Sequence, residues 1–293
     1  MNIRHLETLL AIADSGSFAA AAERVGVTQS AVSMQMKALE DELGVGLFDR
    51  ARRPPVLNET ADGLLSRIRE LVRLSEDIHA LAAGAVARGR LRLGIIPTAA
   101  TGLVPAALAR LAVRAPDLRI RVESGLSVDL LRRVAQGALD AAVVTETPRL
   151  ERGLILNVIH EEPLVVAAPI TAAGRSDRDL LRTLPFVRFN RRTGVGRVID
   201  TVLRQRRIVV SEAMELDSIE AILAMVSRGL GVAVAPAGSI TDALRETVRT
   251  VPFGSPPAIR RVVLVERERT DVKPTTALLL EELRGGRDGA DRS

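Results

Sequence analysis

Residues whose types and spacing suit chemistry fall into two clusters. The first is TQSAVSMQMK, residues 28–37. On a helix, Thr28, Gln29, Ser30, Ser33 and Lys37 lie opposite the apolar Val32 and Met36. A glutamine amide can pair bidentately with adenine, and hydroxyls reach bases or phosphates. A helix N-terminus favours phosphate. Just downstream, FDRARRPPVLN (48–58) sets Arg50, Arg52 and Arg53 beside two prolines. That reads as a stiff basic wing for a phosphate backbone or minor groove. Glu40, Asp41 and Glu42 must then face away from DNA. The competing reading is a plain three-helix bundle with a solvated polar face.

The second cluster is NRRTGV, residues 190–195, ahead of a helical stretch. Thr and Gly with flanking Arg at a helix start suit a carboxylate or another anion. The alternative is that Arg191 and Arg192 are ordinary solvated loop residues. GVGR is too weak a pattern for a nucleotide loop.

Enzymatic patterns are missing. His5, His79 and His160 have no metal-ligand spacing. There is no GxSxG, Walker or HExxH motif. The chain has no Cys, hence no disulfide, thiolate metal site or Cys nucleophile. The expectation is a non-enzyme without metal or cofactor. No secretory signal or bilayer-length apolar run is visible, so a cytoplasmic protein with no membrane partner is expected.

These side chains need elements to position them. Ile3, Leu6, Leu9, Leu10 and Ala13 make a helical stripe ended by Asp14, Ser15 and Gly16. Ser17 can cap a second helix, Phe18 to Val25, which Gly26 ends. Thr28 can cap a third, with Val32, Met36, Leu39 and Leu43 on one face. Small Ala19 and Ala22 let helices cross closely. Two short helices joined at a tight Gly turn predict a helix-turn-helix whose last helix projects.

From Thr60 to about Ala87, Leu64, Ile68, Leu71, Ser75, Ile78 and Ala82 recur at heptad spacing, widened by Leu65 and Val72. That predicts a helix paired with a second chain, or packed on its own domain. GAVARGR follows as a hinge. Beyond it RLRLGIIP, LRIRVE and DAAVV read as strands, with helices near 101–114 and 127–136 between them. PLVVAA, PFVRF and GVAVAP repeat the pattern, with helices near 177–184, 195–207 and 218–228. RVVLVE and TTALLLEEL return to the first half. Such alternation predicts two α/β lobes with parallel sheets. Ligands in open parallel sheets sit beyond strand carboxyl ends. That rule brings Thr98, Ala99, Ala100, Thr101, Ser124, Gly125, Ser127, Thr145 and Glu146 opposite Asn190, Arg191, Arg192, Thr193, Gly194 and Val195.

Charge placement limits what composition implies. The chain carries +5, but residues 1–58 hold six basic residues against seven acids. Residues 182–207 hold eight Arg against one acid, Asp200. A DNA interface must rest on placement rather than on the total.

Residues 19–50, AAAAERVGVTQSAVSMQMKALEDELGVGLFDR, resemble the LysR-type transcriptional regulators. Ala21–Ala22, Thr28–Gln29, Val32–Ser33, Leu39–Glu40, Leu43–Gly44 and Leu47–Phe48–Asp49–Arg50 carry the match. VESGLSVDLLRRVAQGALDAAVV and SIEAILAMVSRGLGVAVAP resemble later segments of that family. One departure is Ala61, where a Gly often follows the wing. The resemblance implies an α+β multidomain chain: a winged helix-turn-helix at 1–59, a linker helix and hinge at 60–89, and a bilobal, periplasmic-binding-protein-like effector domain at 90–293. Its lobes would be 90–162 with 263–283, and 163–262, before a disordered tail at 284–293. It further implies a homodimer or homotetramer on an interrupted palindrome of double-stranded DNA, a small effector between the lobes, for which residues 190–195 point to an anion, and RNA polymerase as a further partner. The rival is a solute-binding or enzymatic bilobal protein whose helix-turn-helix is scaffold.

Overall fold

A computed structural model describes residues 2–52, 54–82, 89–268 and 274–285. The chain divides into two compact units: the first holds Met1–Gly89, the second Arg90–Ala135 and Leu139–Ser293.

In the first unit, α1 (Ile3–Ser15), α2 (Phe18–Val25) and α3 (Gln29–Leu43) follow one another through tight breaks. Ser17 accepts the Ala20 N–H and Thr28 accepts the Ala31 N–H, so each new helix starts capped. Gly26 sits at φ +73°, a left-handed conformation that costs other residues a clash with Cβ. Leu6, Leu9, Ala21, Val32, Met36 and Leu39 are buried where the three helices meet. β1 (Phe48–Asp49) and β2 (Val56–Leu57) pair antiparallel and form the wing. Asn58 then accepts the Ala61 N–H and opens α4 (Glu59–Ala82). Ala61 is fully buried; its methyl is part of the core, which is what the absent Gly changes.

The heptad stripe of α4 divides. Ile68 and Val72 are buried in the same core as α1, with Leu64, Leu65 and Leu71 packed against it. Leu74 and Ile78 remain 57% exposed. Residues 83–88, which hold most of the expected hinge, and 286–293 of the expected tail lie outside the described residues.

The second unit is built on one seven-stranded sheet. Its strands are β3 (Gly89–Ile95), β4 (Leu118–Ser124), β5 (Ala141–Thr145), β6 (Leu154–Pro169), β9 (Ala233–Pro236), β10 (Val248–Pro252) and β11 (Ile259–Arg267). The order is β10-β6-β11-β5-β3-β4, with β9 also on β6. β3 and β5 run parallel, while β11 is antiparallel to both β5 and β6. β7 (Pro185–Phe189) and β8 (Ser211–Leu216) form a parallel pair. β6 joins the two halves: Leu154–Pro163 pair with β11, and Leu164–Pro169 with β9 and β10. The β11 register shifts at Val262/Val263, close to the expected lobe boundary.

Helices α5 (Pro97–Ala100), α6 (Leu103–Arg114), α7 (Ser127–Ala135) and α12 (Pro274–Gly285) belong to the first lobe. The second has α8 (Asp177–Thr183), α9 (Gly194–Gln205), α10 (Ile219–Ser227) and α11 (Asp242–Arg245). It has its own core, running from Leu164 to Phe253 and including Phe186, Ile199, Ile222 and Val234. The helix expected at 101–114 is α6, which starts after Gly102; α5 is a further short turn ahead of it. β8, β10 and the first half of β6 add to the strands read from the sequence.

Candidate DNA interface and ligand cleft

On the first unit, Thr28, Gln29, Ser30, Ser33 and Lys37 are all exposed, with Val32 and Met36 buried behind them. Gln29, Ser33 and Arg50 line one groove of about 440 Å³ with Ser17, Phe18 and the prolines Pro54 and Pro55. Ser17 caps α2 there, so that helix start adds a phosphate-seeking dipole the sequence reading left out. Met34, 73% exposed on α3, was likewise absent from the expected contacts.

The hydroxyls are engaged locally. Thr28 and Ser30 bond each other at 2.9 Å, and Ser33 donates to the Gln29 carbonyl at 3.1 Å. In the wing, Arg52 lies 3.5 Å from Asp49, and Arg53 falls outside the described residues.

Arg50 is not a free cation. Its guanidinium donates to Glu40 at 2.6 Å, and the other Glu40 oxygen accepts the Leu47 N–H at 2.7 Å. Glu40 therefore faces the wing and ties it to the C-terminal half of α3, a role beyond merely pointing away from DNA. Glu40→Gln is expected to release one positive charge. The slope of log K against log salt should steepen by about one for any duplex. An unchanged slope would mean that Arg50 already leaves Glu40 on binding.

On the second unit, a cavity of about 370 Å³ opens between the lobes. Thr98, Ser124, Gly125, Ser127 and Thr145 line it from one lobe, and Asn190, Arg192, Thr193 and Gly194 from the other. Ile96, Pro97, Leu126, Phe189, Val195 and Asp217 complete the wall. Asp217 follows β8, a strand not read from the sequence, and binds the Asn190 amide.

Two helix starts meet here. Ser127 opens α7, and Gly194 opens α9 behind its cap Thr193, whose hydroxyl takes the Gly196 N–H at 2.9 Å. First-turn N–H groups have no partner within their helix and carry partial positive charge. Ser127 Oγ and Thr145 Oγ1 are buried without a hydrogen-bond partner among the described residues. A Cβ on Gly194 would lie 2.6 Å from Thr145 Cβ and 3.1 Å from Ser127 Oγ. The lobes therefore touch at Gly194, directly over both hydroxyls.

Five expected residues are elsewhere; one of them, Glu146, lies off the cavity 3.6 Å from Arg261. Ala99 is buried within α5, and Ala100 and Thr101 lie off the cavity because the α5 turn directs Pro97 and Thr98 into it. Arg191 binds Glu212 at 2.5 Å and Glu215 at 3.3 Å, and pins the loop before α9 to β8. It shares Glu212 with Arg188, which is buried, donates to Asp200 and stacks on Phe186. The hydrogen bond from Arg188 comes first in holding the Glu212 carboxyl below its ordinary value, although partial burial opposes it.

Beneath the cavity runs a polar chain. Arg260 on β11 donates to Thr98 Oγ1 at 2.8 Å and to Glu162 on β6 at 2.8 Å. Glu162 in turn accepts the Gly238 N–H of the second lobe at 3.0 Å. Burial pulls the Arg260 guanidinium below its ordinary value, against the opposing charge of Glu162.

The helix-turn-helix and the cleft each have a counterpart in known families. The model for the lysR family of bacterial regulatory helix-turn-helix proteins matches residues 3–64, and that for the LysR substrate binding domain matches 84–287. The chain belongs to the LysR family. It is a LysR-type transcriptional regulator with a DNA-binding domain and an effector-binding domain.

Among the relatives of this LysR-type regulator is a probable nitrogen assimilation transcriptional activator of Synechococcus elongatus. It is 29% identical over 276 residues, covering 90% of this chain and 88% of that protein. A probable hydrogen peroxide-inducible genes activator of Mycobacterium avium is 30% identical over 292 residues, covering 96% and 94%. A full-length OxyR variant from Pseudomonas aeruginosa, with one cysteine replaced by aspartate, superposes with a TM-score of 0.76 at 26% identity, covering 97% and 95%. CbnR complexed with its target DNA shares the fold, with a TM-score of 0.63 at 21% identity over 97% of this chain and 99% of that one. No helix among the described residues of this LysR-type chain is long and apolar enough to cross a membrane.

Proposed function

We propose that this LysR-type regulator binds an interrupted palindrome of double-stranded DNA as a homodimer or higher assembly. A small anionic molecule in the cleft would set that binding. The observation that carries the ligand half is the pair of buried, unpartnered hydroxyls, Ser127 and Thr145, beside two helix starts. A buried polar group without a partner costs free energy that a ligand oxygen would recover. Arg192 and Asp217 offset each other at the wall, so anion preference rests on the dipoles and hydroxyls.

Among the described residues no base bonds Ser127 or Thr145, so neither is activated as a nucleophile, which favours binding over catalysis. Peroxide sensing through a thiol is closed to a chain without Cys. Leu74 and Ile78, exposed along α4, support pairing with a second chain. Work in the cytoplasm, with RNA polymerase downstream, follows from the same reading. For the ligand to act, it must bind one assembly state better than another.

The test is fluorescence anisotropy on DNA upstream of the protein's own gene against scrambled DNA, over a salt series. Small carboxylic acids are then added. Preference for the native duplex that persists in salt, and shifts with an acid, is the expected result. Equal binding that collapses with salt would reduce the interaction to phosphate attraction.

A further inference from the structure

The buried pair beneath the cleft bears on what the cleft selects. Arg260 is 3% exposed and Glu162 8%, and the two face each other across the antiparallel β6–β11 ladder, out of solvent. Guanidinium groups only donate hydrogen bonds. In the Arg260–Thr98 contact the hydroxyl oxygen is therefore the acceptor. A hydroxyl that accepts from a cation is polarised: its own hydrogen becomes the stronger donor and its remaining lone pair the weaker acceptor. Thr98 lines the cavity, and its hydroxyl makes no other bond among the described residues.

We propose that Arg260 is a specificity-determining positioning residue: by donating to Thr98, it makes that hydroxyl a donor toward the cleft, so the ligand presents an acceptor oxygen there, as a carboxylate does. This rests on the reading of the cleft as the ligand site. Glu162 balances the Arg260 charge and aims it. Its second oxygen holds Gly238, where any Cβ would lie 2.7 Å from Glu162 Oε1. The orientation of Thr98 is thus fixed from both lobes. Arg260 touches no ligand itself; it acts through Thr98.

The experiment uses the full chain and a panel of mono- and dicarboxylic acids of up to about eight carbons, each with its amide. Binding is followed by thermal shift and ligand-detected NMR. The wild type is expected to prefer at least one acid over its amide by about tenfold or more, the scale of a hydrogen bond to a charged group. Thr98→Val should bring that ratio near one, and Thr98→Ser should keep it. Arg260→Met paired with Glu162→Gln leaves no lone buried charge, so it remains foldable and should also lose the ratio. Arg260→Lys should restore part of it. An acid preference unchanged in Thr98→Val and in the double variant overturns the role of Arg260 while leaving the cleft as the site. Acids that bind equally well to Gly194→Leu, whose side chain would fill the cleft, overturn the cleft reading and this proposal together. The same holds if no acid of the panel binds.

Discussion

Gly194→Ala is expected to lower affinity for any acid that binds the cleft by roughly tenfold to a hundredfold, the scale of about 1–3 kcal/mol that overpacking costs. DNA binding without ligand should be unchanged. The added methyl would stand 2.6 Å from Thr145 Cβ and 2.9 Å from Thr145 Oγ1. Contacts that short do not persist, so one side must move. Thr145 ends β5, with β11 paired beside it and its backbone fixed in the sheet. The remaining freedom is between the lobes, and the methyl wedges them apart. A ligand held from both walls then loses one of them. Helix α9 itself is not at risk, because Ala is the better helix former by about 1 kcal/mol in a helix interior. Isothermal titration with an acid of the panel, and anisotropy on DNA, separate the two effects. Unchanged acid affinity would mean that the bound lobes stand further apart than in the structure seen here.

The contrast between Gly194 and Arg191 shows how far sequence reasoning reached into this site. Gly194, Thr193 and Ser127 were legible because their signal is local: a cap, a glycine and a helix start within a few residues. The helix-turn-helix was legible for the same reason, through Ser17, Gly26 and Thr28. Arg191 was misplaced because its partners Glu212 and Glu215 sit on β8, and a strand reading SEAMEL has little apolar alternation to announce it. The Arg260–Glu162 pair was invisible because two distant strands bring it together. Neither residue stands in a motif. The linker stripe lies on α4 over its described residues. Its heptad spacing could not tell an intramolecular partner from a second chain, and α1 takes up Ile68 and Val72.

At the DNA end, Gln29→Ala and Lys37→Ala are expected to fail in different ways. Thr28 and Ser30 are bonded to each other, and Ser33 is bonded back to its own helix. Gln29 is exposed, and its amide carries no bond among the described residues. It is therefore the side chain on this face best placed for a bidentate base contact, which contributes about 1–3 kcal/mol of discrimination. Gln29→Ala should cut the ratio of native to scrambled affinity by roughly tenfold to a hundredfold, leaving the salt slope alone. Lys37 is a point charge and fits a phosphate. Its removal should weaken both duplexes alike and flatten the slope by about one. If Gln29→Ala keeps the ratio, base reading must pass to another exposed group of α3. Met34 is then the next to replace, since an apolar side chain projecting from a recognition helix can read a thymine methyl.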